Sequence, residues 1–207
     1  MIFQAGHIFL VARRAYERSL SDSSEAMPSI ILSTVALECF VNETIERLSK
    51  EHFRDPDKNL VLAANWLEFV ESKKGSTLEK LEAFHLAFTG TKAERGHPPY
   101  QDMSLLYQLR NDLVHRKPEP FRDWDPNDKE RTYEPHKFVR MLAQRGIVNM
   151  PPPNLPPIWS QFVLHDRAAK WAFNTAVSGV KYVVSLLPES LFLKITEVMT
   201  DQIEPIA

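Results

Sequence analysis

The stretch PSIILSTVALECFVNETIERL, from Pro28 to Leu48, decides the fold class. Ile30, Thr34, Leu37, Val41, Ile45 and Leu48 recur every three or four positions, which sets them along one side of a helix that advances about 100° per residue. Pro28 falls where the first helical turn tolerates a residue without an N–H. A helix is therefore expected from Pro28 to about His52, and its apolar load makes it central. One residue does not fit. Glu38 projects between Ile31 and Ile45, inside the apolar arc, and an ionised carboxylate left buried and unpaired is costly. Either a cation meets Glu38 or its site opens to water.

On the N-terminal side, Phe3 to Leu20 carries Phe3, Ile8, Phe9, Ala12 and Tyr16 at helical spacing, and Ser21 to Glu25 breaks it. Met1 to Leu10 runs into Arg13, Arg14 and Glu17 without a long apolar run or a small-residue cleavage site, so no signal peptide is expected. The apolar run Ile30 to Val41 is interrupted by Ser33, Thr34 and Glu38 and reads as too short to span a bilayer.

On the C-terminal side, the spacing predicts helices from about Leu60 to Lys73, stopped by Gly75, and from Thr77 to about Gly90. A fifth helix runs from about Gln101 to Arg116 and closes at Pro118, because proline disfavours the helical conformation of the residue before it. A short helix is expected over Pro135 to Arg145. One long helix with an apolar stripe is expected from Ser160 to Leu187, ended by Pro188, with a last short helix from Leu191 to Thr200. Trp66, Trp159 and Trp171 read as core anchors. No segment alternates as a strand does. The expected architecture is all-α: one helical bundle over residues 1–207, with exposed loops at about 91–100, 117–134 and 146–159 and a core of the helices 28–52, 101–116 and 160–187.

With 43% hydrophobic residues in 207, the chain has enough apolar surface for a real core. A formal charge of -2 argues against coating of nucleic acid by the whole surface, so any such contact needs a local patch. Cys39 is the only cysteine, which excludes an intrachain disulfide and suits a reducing, cytoplasmic setting. The seven histidines form no pair at metal-ligand helical spacing, and no metal or cofactor is expected.

Chemistry concentrates at the end of the fifth helix, Tyr107-Gln108-Leu109-Arg110-Asn111-Asp112-Leu113-Val114-His115-Arg116-Lys117-Pro118. Arginine holds phosphate with a planar fork of donors, and histidine moves protons near neutral pH. On the helical wheel Arg110 leans inward, so a contact with Glu38 is expected. His115 shares another face with Asn111, roughly 140° from Arg110. The arginine can bend round, the helix end can unwind, or a second copy can complete the site across a two-fold axis. Bland readings stand beside this one: Arg110 in a structural ion pair, His115 on the helix dipole, and Asn111 as plain surface.

At these residues the chain resembles HEPN-domain proteins, helical bundles with a motif of arginine, a polar residue, three further residues and histidine. Arg110-Asn111-Asp112-Leu113-Val114-His115 matches every defined position, Leu37 to Glu43 resembles the family's early core helix, and Arg167 to Leu187 its long closing helix. The resemblance implies a metal-independent ribonuclease of the toxin-antitoxin or phage-defence kind, dimerising so that two motifs line one cleft. In that scheme Arg110 holds the scissile phosphate, His115 is general acid or base, Asn111 orients them and Glu38 supports Arg110. Arg116 and Lys117 attract the RNA backbone, and an antitoxin or regulatory protein is the implied partner. Other members are catalytically silent modules that bind a partner protein or nucleotide. One departure is visible: some toxin members carry a tyrosine, modified by a partner enzyme, where this chain has Lys117.

Overall fold

The computed structural model describes residues 4–51, 58–115, 134–152, 158–187 and 203–207. Within them lie eight α-helices and no strand: α1 Gln4–Ser19, α2 Ala26–Glu51, α3 Lys58–Ser72, α4 Thr77–Thr89, α5 Tyr100–Val114, α6 Lys137–Gln144, α7 Trp159–Val163 and α8 Asp166–Leu186. The all-α reading holds. The fraying segment Leu191 to Thr200 lies outside the described residues, as does most of the 117–134 loop.

The central helix is α2, which packs on α1, α3, α4, α5 and α8. Three of its buried hydroxyls do not break it, because they donate to carbonyls one turn back: Ser33 to Ser29, Thr34 to Ile30 and Thr44 to Phe40, at 2.7 to 3.0 Å. Small residues on α1, Ala5, Ala12 and Ala15, are fully buried and let the two backbones approach, and Ser29 reaches across to the carbonyl of Ala12 at 3.1 Å. The N-terminus of α1 is held by Glu43, whose carboxylate accepts from the backbone of Gln4 at 2.7 Å. Carboxylates are favoured there, where helical N–H groups lack partners.

The expected core of three helices meets at Gly179 on α8. A methyl group placed there would lie 2.8 Å from the sulfur of Met103 on α5 and 2.9 Å from Leu37 on α2. Only hydrogen fits. One continuous buried cluster takes side chains from all eight helices and from Ile203. The last residues are strapped to α8 by Asn174, whose amide exchanges two hydrogen bonds with the backbone of Ile206, at 3.0 and 2.8 Å.

Two expectations need correction. The single helix over 160–187 is two: Leu164 and His165 leave helical geometry, and His165 Nδ1 caps α8 by accepting from the backbone of Arg167 at 3.2 Å. The apolar stripe continues through the break, so periodicity did not register it. Trp66 is no core anchor, since 41% of it is exposed, whereas Trp159 is buried at 2%. Ser23–Leu48, most of it in α2, is also long and apolar enough to cross a membrane by length and composition alone, a property it shares with core helices of bundles, and half of its most apolar window is buried inside this one.

Candidate functional site at the end of α5

Helix α5 stops where the motif lies. His115 has φ −111° and ψ 20°, outside the helix, and its backbone N–H still bonds the carbonyl of Asn111 at 2.9 Å. Arg116 and Lys117 lie outside the described residues. Arg110 is half-buried; Asn111 and His115 are exposed. The guanidinium bends round the helix and donates from Nη1 to Oδ1 of Asn111 at 3.0 Å. The long side chain thus turns from the inward side of α5 to Asn111 on the face that Asn111 was expected to share with His115. Asn111 is the hub, with its side chain on Arg110 and its carbonyl on the backbone of His115. The His115 imidazole has no hydrogen bond or ion pair with the described residues, which leaves both ring nitrogens free for a ligand.

The expected contact between Glu38 and Arg110 is not an ion pair. Arg110 is turned towards Asn111, while half-buried Glu38 lines an open groove of about 540 Å³ with Gln4, Ile8, Cys39 and Asn42. Of the two solutions posed by the sequence, Glu38 takes open water. Glu38 and Arg110 both act electrostatically on a residue not singled out in the sequence. Tyr107, one turn before Arg110, buries its hydroxyl without a hydrogen-bond partner, and burial pushes its ionisation far above the usual phenol range. Glu38 adds to that shift; Thr77 and Arg110 oppose it. Arg110 Nε is also buried and unpaired. Such orphaned polar atoms are rare in folded proteins, and here two of them belong to residues three apart on α5. Helical spacing of Tyr107 and Arg110, three apart, was the available signal.

Around this centre the other charged groups are occupied. Asp112 pairs with Lys137 on α6 at 3.6 Å. Lys80 of α4, buried although charged, donates to Asn42 at 2.9 Å and pairs with Glu71 at 2.5 Å, joining α4 to α2 and α3. The Cys39 thiol is pushed up to about 11 by burial, with Glu43 and Glu38 adding to the shift, so it is a poor nucleophile. Away from the motif, Tyr182 and His85 share a hydrogen bond of 2.6 Å with their rings stacked.

Chemically, the end of α5 offers a guanidinium held through one of its nitrogens and, five residues on, an exposed imidazole. The pair suits an anionic ligand that must also exchange a proton. Comparison with models of protein families, with curated proteins and with solved structures returned no match.

Proposed function

We propose that this chain is a metal-independent endoribonuclease of the HEPN kind, acting as a cytoplasmic homodimer in a bacterial defence or toxin-antitoxin setting. The observation that supports it is the turn in which Asn111 holds Arg110 with its side chain and leaves the His115 imidazole free. RNA supplies its own nucleophile. An imidazole takes the proton of the 2′-hydroxyl, the 2′-oxygen attacks phosphorus, and the bond to the 5′-oxygen breaks. The leaving oxygen takes a proton from a second imidazole, giving a 2′,3′-cyclic phosphate and a 5′-hydroxyl end. Arg110 stabilises charge on the non-bridging oxygens. The need for two imidazoles is the reason for two copies, since one α5 supplies a single His115. Glu38 acts here as a local charge near Tyr107 rather than as a direct partner of Arg110.

A second reading, a catalytically silent module that binds a partner protein or nucleotide, draws on the same Arg110–Asn111 bond, which gives the motif a structural task. The deciding experiment is cleavage of a labelled single-stranded RNA in EDTA. The nuclease reading expects cyclic-phosphate ends from the parent protein and a loss of roughly 10²–10⁴-fold in His115→Ala. Indistinguishable degradation by the two proteins sinks it.

A further inference from the structure

Helix α3 presents aromatic rings to solvent. Trp66 and Phe69 are 41% and 54% exposed, with Leu62 at 43% one turn before Trp66. The two rings meet edge to face with centroids 6.1 Å apart. They border a groove of about 1070 Å³ formed by α3, the Lys74–Gly75 turn, α4 and the loop after Gly90. The turn is tight: Lys74 has φ 55°, and a methyl group on Gly75 would lie 2.4 Å from Val70.

The charges in this groove do not cancel. Lys73, Lys74, Lys92 and Arg95 face it against Glu79 and Glu82. Glu79 is committed to capping α4, where it accepts from the backbone of Ser76 at 2.6 Å, and Glu82 holds Arg95 at 2.6 Å. Lys73 leans towards the Phe69 ring, 5.9 Å from its centroid, and the three lysines have no carboxylate partner among the described residues. A chain of net charge -2 thus carries a local cationic surface beside exposed rings.

We propose that this groove binds single-stranded nucleic acid, with bases stacked on Trp66 and Phe69 and backbone phosphates at Lys73, Lys74 and Lys92. Flat rings beside cations form the platform such strands use, because every base has a face to stack and every linkage a charge. A duplex hides its bases and fits poorly. An acidic amphipathic helix would meet the same lysines but needs an aliphatic trough. Here Ala83 is buried and Val70 and Leu86 are half-covered, while the rings project. The site is separate from the end of α5 and does not rest on the ribonuclease reading.

The test measures anisotropy of labelled 12-mer oligo(U) and oligo(dT) with full-length His115→Ala protein, so that the probe survives. Binding of these strands is expected, with a duplex of equal length at least tenfold weaker. Trp66→Ala and Phe69→Ala should each weaken binding about tenfold. Both positions are exposed, so thermal melts should match the parent and separate lost binding from lost fold. Replacing Lys73, Lys74 and Lys92 by Gln should flatten the salt dependence of log K by about two units. The proposal is overturned if neither strand binds, or if binding ignores both aromatic substitutions. Trp66-dependent binding of a designed acidic amphipathic peptide or of phosphatidylglycerol vesicles, without binding of the oligonucleotides, also overturns it.

Discussion

Arg110 donates to Asn111, its neighbour in the chain, rather than to Glu38 across the bundle. Adjacent residues on a helix usually diverge, and they meet here because the guanidinium is long enough to wrap back round α5. The hydrogen bond fixes one end of the guanidinium fork against the exposed Asn111 side chain.

Removing that latch should affect chemistry before stability. Asn111 is exposed, so Asn111→Ala should leave the melting temperature close to the parent's. On the proposed ribonuclease reading, RNA cleavage should fall by roughly ten- to a hundredfold, as expected when a positioned group is released. A large drop in melting temperature with unchanged specific activity would show that the bond serves only the fold.

Glu38→Gln separates an open site from a buried ion pair. Because Glu38 lines an open groove and has no ion pair with Arg110, the substitution should change unfolding free energy by less than about 1 kcal/mol in urea titration. Breaking a buried pair costs roughly 3–5 kcal/mol, and a loss of that size would restore the direct contact.

Lys80 should behave in the opposite way. Its ammonium is buried between Asn42 and Glu71. Lys80→Met keeps most of the stem but strands the Asn42 oxygen, which should cost about 1–3 kcal/mol. Glu71→Gln, at a side chain 65% exposed, should cost much less. Equal losses in the two variants would contradict the burial of the lysine end.

Gly179→Ala tests the meeting of α2, α5 and α8. Alanine is the better helix former by about 1 kcal/mol, yet its methyl group collides with Met103 and Leu37. Overpacking of this kind costs typically 1–3 kcal/mol, so the variant should be less stable on balance. Adding Met103→Ala should recover part of that loss in a double-mutant cycle. Additive losses would mean that the two sites do not touch.

Cys39 gives a pH readout. Its thiol is raised from 9.0 to about 11, so the folded chain holds the proton more tightly than the unfolded chain. Stability linked to this group is present below pH 9 and is lost as pH rises towards 11. At pH 8 a shift of two units means about a hundredfold fewer thiolates, so iodoacetamide should label native protein far more slowly than protein in denaturant. Equal rates at pH 8 would show an unshifted thiol.

Periodicity alone determined most of the helices and the central place of α2, because burying an apolar stripe demands a partner stripe at the same spacing; it did not show that the core takes side chains from all eight helices, with α1 packed most extensively on α2. It also placed Arg110, Asn111 and His115 at one helix end. The break at His165 escaped it, since a cap is a matter of two residues and the stripe runs on either side. Exposure of Trp66 escaped it too, because the same aromatic residue suits a core or a surface platform and only neighbouring helices decide which.

What the tertiary structure decided is partnership. Whether Glu38 meets a cation or water, whether Lys80 is buried, and whether the Tyr107 hydroxyl is buried depend on which helices cross there and where long side chains find room. Spacing along one helix sets the direction in which a side chain leaves the backbone. The packing of the others settles what it reaches, and so Arg110 ends on Asn111 while Glu38 faces solvent.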